Sequence, residues 1–439
     1  MLERLFHLLP LTLLAALASL TLRGQTPLSI QDAIRTAWIS QSGLQAGAAR
    51  VDQARAQAAA QDRLRLPTVS LGMGYTRTDE PMQAFGTRLD EARITQADFL
   101  PASLNRPAAV SGTGATLTLS QPLYAGGRLD AARRAGQAMA GAEAASQEQR
   151  RQQAALAITQ VYFGAQMAEQ GVRYAEDSLK QAVATDAFVQ ARVAEGLLLR
   201  SDGERTQAYR AQCEVALLEA RARVASARSG LALLVGADVA GAQLSTPLDA
   251  PAAVAAVDGG QRPDLASLRQ QATAAQEGVK AAQGSLKPEV GVQLTAGTLR
   301  QAWDVGGNWT TLSVGAKWTF SFADGPRVNA ARAEARAAEL EVHWQAAVAD
   351  REVQEARRAV QTAQAKIAFA RTAVTASESV RAIRTARHRE GLLPLVEVLD
   401  AETSLSGSRT LLLASQLDLR LGEAQLALAL GQPIEAVKE

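Results

Sequence analysis

One arrangement occurs twice in this chain and limits what the chain can become. An alternating, strand-like run passes a Gly/Pro-containing turn and continues directly into an Ala/Arg-rich helical segment. The first copy reads SQPLYAGGRLDAARRAGQA over residues 120–138, and the second runs KWTFSFADGPR into VNAARAEARAA. Each copy also holds an earlier alternating run after a helical segment and a proline. In VSLGMGYTRT, Val69, Leu71, Met73 and Tyr75 share one face and Ser70, Gly72, Gly74 and Thr76 the other. VGVQLTAGT repeats this with Val290, Val292, Leu294 and Ala296. The return runs set Leu117 and Leu119 against Thr116, Thr118 and Ser120, and Leu312, Val314, Ala316, Trp318 and Phe320 against Ser313, Gly315, Lys317 and Thr319. A period of two means strands with one apolar face. They are expected near 67–78, 115–124, 288–299 and 311–322.

The remainder reads as long helix. No proline interrupts Leu129 to Glu195, and a continuous helix of that length extends on the order of 100 Å. Val328 to Glu390 is similar, and both stretches break at matching turns, EGLLLRSDGERTQA and EGLLPLVEVLDAET. After the second turn, Val398, Leu405, Leu412, Leu419 and Leu426 recur at sevens beside Ala401, Ser408, Ser415 and Gly422. Large residues facing small ones suit close antiparallel packing. Hydrophobic residues make up 47% of the chain but aromatics only 4%, so small alanines supply much of the apolar content, as close-packed long helices require. The reading is mixed α and β. A first repeat covers 25–240, with a helical hairpin over 128–236 and its tip near 196–202. A linker covers 241–262. A second repeat covers 263–439, with a hairpin over 326–430 and its tip near 391–397.

Residues 1–24 resemble a signal peptide: Arg4 precedes the apolar LFHLLPLTLLAALASL, with an A-x-A-like site at Ala16-Leu17-Ala18 or a cut after Gly24, the alternative being an uncleaved anchor, for which the apolar run is short and interrupted. Export is expected. Cys213, the sole cysteine, excludes an intrachain disulfide and reads as a small buried residue. The 46 basic and 44 acidic residues are dispersed, which argues against a nucleic-acid partner. No Cys/His cluster or Ser-His-Asp arrangement supports catalysis, a metal or a cofactor.

The alternating strands fit either a sheet lying on a globular core or a membrane sheet with lipid on its apolar face. Their length, near the 9–11 residues that a tilted strand needs to cross a bilayer, favours lipid. Four strands cannot close a barrel, and an open edge in hydrocarbon costs several kcal/mol per unpaired group, so the lipid reading requires several copies. The competing reading is a periplasmic coiled-coil adaptor or scaffold without a pore.

QPLYAGGR (121–128) resembles the strand-exit motif of the TolC-like outer-membrane efflux proteins. RSDGERTQA…LALLVGAD and GLLPLVEVLDAETSL…LALALGQP resemble that family's return helices, and PMQAFGTRLDEARITQADFLPASLNRP resembles the external loop of one branch. The resemblance covers essentially the whole mature chain. It implies a homotrimer with a twelve-stranded outer-membrane barrel embedded in lipid, continued by an α-helical periplasmic tunnel. It further implies a passive exit duct for a tripartite efflux or type I secretion system, with a periplasmic adaptor and an inner-membrane transporter as partners.

The resemblance also assigns residues. Gly126, Gly127 and Arg128, with Gly325, Pro326 and Arg327, stand at the strand-to-helix junctions; the two arginines meet lipid headgroups or are solvated first-turn charges. Gly196, Leu197 and Leu198, with Gly391, Leu392 and Leu393, match the adaptor-docking tips, or else the leucines are buried at ordinary helix breaks. Glu397 and Asp400, three apart on one helix face, match the carboxylates that line the pore entrance, the alternative being a solvated pair. His388 and Leu393 stand where the best-known member has its latch tyrosine and arginine, so the same latch is not expected here. His388 at the entrance is either pH-responsive or simply packed.

Overall fold

The computed structural model describes residues 27–239, 241–249, 262–302 and 305–434. The signal-peptide reading, and most of the expected linker, lie outside them. In chain order the elements are β1 (Pro27–Leu28), α1 (Ile30–Ser40), α2 (Ser42–Arg63), β2 (Thr68–Thr78), α3 (Pro81–Asp90), α4 (Pro101–Asn105), β3 (Val110–Ala125), α5 (Arg128–Ala194) and α6 (Arg200–Val235). There follow β4 (Gln243–Leu244), α7 (Pro263–Gly284), β5 (Glu289–Ala302), β6 (Val305–Lys317), α8 (Asp324–Arg389) and α9 (Leu395–Ala429). Among the described residues, no helix is long and apolar enough to cross a membrane.

Two compact units emerge, and each draws on both sequence repeats. One comprises the described residues within 1–49, 145–266 and 344–439, the other those within 50–144 and 267–343.

The second unit holds an antiparallel sheet of order β2–β3–β5–β6. Thr68 pairs with Ser120 and Thr78 with Val110, so β3 begins well before the expected residue 115. The second hairpin is also longer than its alternation suggested. Arg300 pairs with Gly306 and Gly297 with Trp309, so a stretch expected as a loop is strand. The Trp309 indole covers Gly297, where a Cβ would collide with the ring.

At its other end β6 stops at Lys317, the partner of Glu289, where β5 begins. Trp318 to Phe322, expected as strand, have no partner strand there and are not strand. Instead the Trp318 indole N–H donates to the Leu286 carbonyl at 3.0 Å, and Phe320 meets Phe322 edge-on. The apolar face of the sheet is bare: Leu71, Met73, Leu312 and Val314 are 68–77% exposed.

The first unit has a core of Leu28, Ile34, Ile158, Tyr162, Phe163, Leu231 and Val235. It fastens the first residues of the linker. β1 pairs in parallel with β4, the Tyr162 hydroxyl donates to the Leu28 carbonyl at 2.7 Å, and Thr246 N–H donates to that hydroxyl at 3.0 Å. Arg420 donates to the carbonyls of Leu248 and Pro247 at 3.0 and 2.9 Å. Cys213 is buried.

Candidate functional site: two helical tips and two junctions

The helix-breaking turns are built alike. At the first, Gly196 has φ +72°, Gly196 N–H donates to the Val193 carbonyl (3.0 Å) and Leu197 N–H to the Arg192 carbonyl (2.9 Å). At the second, Gly391 has φ +78°, and the same two bonds run from Gly391 to His388 and from Leu392 to Arg387, both at 2.9 Å. This is the Schellman geometry, in which a left-handed residue satisfies the last helical carbonyls. Glycine takes that conformation without steric cost. Both return helices then start from an extended residue, Leu199 or Pro394.

The tip leucines divide. Leu197 is 60% and Leu392 70% exposed, whereas Leu198 and Leu393 are half-buried. Leu199, which the sequence reading passed over, is as exposed as Leu392. It sits at the extended N-cap position, where the side chain leaves the helix surface.

Glu397 and Asp400 do share a face of α9, and a third residue joins them. Arg384 Nη1 lies 3.0 Å from Glu397 Oε2 and 3.1 Å from Asp400 Oδ2, and it donates to the Glu397 carbonyl at 3.1 Å. Nothing local in the sequence marks Arg384, because its partners lie 13 and 16 residues away across the turn. His388 is packed rather than solvated. Its Nδ1 is 2.8 Å from the Leu393 carbonyl, its ring lies edge-on to Phe188, and Nε2 is buried without a hydrogen-bond partner. Nearby, Glu402 is buried 3.8 Å from Arg381, and burial raises its pKa against the pull of Arg381 and Arg409.

The junctions, in contrast, are built differently. Gly126 and Gly127 have φ +65° and +86°, and a Cβ on Gly126 would collide with the Gly284 carbonyl. Gly325 makes no such turn. With Pro326 it lies in the first turn of α8, and the chain enters that helix through a hydrogen-bonded turn at Ser321. Ala323 N–H donates to Ser321 Oγ at 3.2 Å, and Ser321 N–H donates to Asp324 Oδ2 at 3.0 Å. Arg128 pairs with Glu289 at 2.7 Å and Arg327 with Asp324 at 3.5 Å.

A family model described as "Outer membrane efflux protein" matches residues 33–237 and 260–432. No curated protein matches the chain. Among solved structures, the chain is similar to a membrane protein from Pseudomonas aeruginosa at 18% identity, covering 93% of this chain and 92% of that one, with a TM-score of 0.80. The outer membrane protein VceC of Vibrio cholerae is 20% identical over 92% of this chain and 96% of its own, with a TM-score of 0.78. The open-state MtrE outer membrane channel of Neisseria gonorrhoeae is 18% identical over 92% and 89%, with a TM-score of 0.76.

Proposed function

The chain belongs to the outer membrane efflux protein family, and from that premise we propose that three copies assemble one passive exit duct serving a tripartite pump or a type I secretion system. The protein is a non-enzymatic efflux channel of the outer membrane that extends into the periplasm. The observation carrying the trimer reading is the open sheet. Among the described residues, the outer edges of β2 and β6 pair with nothing, while the apolar face of the same strands is bare. Both features are tolerable in a bilayer only if further strands complete a closed barrel. Three copies of four strands give twelve. On this reading the two sequence repeats, 25–240 and 263–439, are the structural repeats of the duct.

The exposed leucines at the tips form the docking surface for a periplasmic adaptor, which links the duct to an energised inner-membrane transporter. Glu397 and Asp400 line the entrance. The test is to fractionate cells and run unboiled outer-membrane extracts on a gel. A detergent-dependent, heat-modifiable trimer is expected, whereas a chain soluble after export would favour the scaffold reading and overturn this one. Crosslinking from Leu197→Cys and Leu392→Cys in a Cys213→Ser background should then capture an adaptor.

A further inference from the structure

We propose that Arg384 sets the ion selectivity of the duct's periplasmic entrance by cancelling half of its carboxylate charge. This rests on the reading of Glu397 and Asp400 as entrance residues in a trimer. One guanidinium nitrogen stands within 3.1 Å of an oxygen from each carboxylate, and the same nitrogen also donates to the Glu397 backbone carbonyl. The guanidinium is therefore held across the α8–α9 turn by three acceptors. Among the described residues, neither carboxylate has another basic partner.

Two physical consequences follow. Arginine keeps its charge at every working pH, so the cancellation is permanent. These three side chains carry one net negative charge per copy instead of two. The three side chains are also 30%, 40% and 68% exposed, so the cluster contributes little to stability but acts on ions in the adjoining water. A ring of charge at a constriction selects ions by its sum, and a multivalent cation arriving there must compete with the guanidinium for the same oxygens. Among the described residues, the equivalent positions of the first repeat form no such cluster. At the distances from Gly196 that Arg384, Glu397 and Asp400 have from Gly391 stand Val189, Asp202 and Arg205. Val189 is fully buried.

The test is single-channel recording of the purified trimer in planar bilayers under a KCl gradient, with hexamminecobalt(III) as the blocking probe. Arg384→Gln should raise the K⁺/Cl⁻ permeability ratio about threefold and tighten the block about tenfold. Arg384→Lys, which keeps the charge, should stay near the parent, and Glu397→Gln with Asp400→Asn should fall below it. A structural role alone would not produce that order. In case Arg384→Gln alone assembles poorly, the same change is made on the double-amide background, where it should again shift the ratio toward cations. If Arg384→Gln leaves ratio and block at parent values while the double amide lowers them, the role of Arg384 is overturned and the entrance reading stands. If the double amide also changes nothing, the entrance reading falls with it.

Discussion

The two helical tips share a backbone and differ in almost everything attached to it. Around Gly196 the interior is locked by a buried carboxylate, with Arg210 3.7 Å away at the rim. Buried Asp186 accepts from Thr206 Oγ1 at 2.7 Å and from Gln190 Nε2 at 3.1 Å, and the same Gln190 nitrogen donates to the Gly203 carbonyl at 2.9 Å. Around Gly391 an ion cluster is turned outward. Arg384 clamps Glu397 and Asp400 at the surface, and the interior is left to His388 and Phe188. The backbone at each turn depends on one glycine and two hydrogen bonds, so the two turns share a shape while the side chains around them differ. Within the sequence, position relative to the glycine therefore says where a residue lies, but not which partner it will find.

The comparison can be broken at several points. The largest effect should come from Gly391→Trp, which forces a bulky residue into a left-handed position, at roughly 1–2 kcal/mol of backbone cost, on the proposed docking surface. Export should be lost while heat-modifiable trimer persists in the outer membrane. Normal resistance in that mutant would remove the second tip from adaptor docking.

Next in size is a pH effect at the far end of α9 from its tip. Burial lifts the Glu423 carboxyl from the ordinary 4.5 to about 7, with Arg420 opposing only in part. Folding thus favours the protonated acid. Its contribution is full below pH 4.5 and is lost as pH rises through about 7. Melting temperature should fall between about pH 5 and about pH 8, and Glu423→Gln should flatten that slope.

Asp186→Ala should then loosen the first tip by about 1–3 kcal/mol, because Thr206 and Gln190 lose a buried acceptor. Hydrogen exchange should accelerate near 186–206 and stay unchanged near 384–400. Equal acceleration at both tips would show that they are coupled. Smallest is Arg384→Ala, which as an exposed ion pair should cost less than about 1 kcal/mol in thermal unfolding.

Much of the framework was readable because it rests on local rules. The period-two runs marked all four strands of the sheet, and the uninterrupted Ala-rich stretches marked α5 and α8. Gly196 and Gly391 marked the tips because left-handed turns require glycine. What could not be read depends on contacts distant in sequence. Trp318 and Phe320 continue the alternation of β6, yet β5 has no residues left to pair with them. The Gly- and Asn-containing stretch before Thr310 lacks the alternation, yet it pairs with β5 from Gly306 opposite Arg300 to Trp309 opposite Gly297. Pro81–Asp90 looked like loop and is helix. Arg384 was invisible for the same reason, since its partners are defined by the turn and not by spacing along one helix.

The fastening of the chain's beginning to its linker also has a meaning in time. Leu28 pairs with Leu244, and Ile30 N–H reaches Thr246 Oγ1 across 216 residues. A chain delivered N-terminus first must carry β1 and α1 without their partners until more than half of it has crossed. The first-unit core cannot seal before then, and contacts of such separation are slow to form.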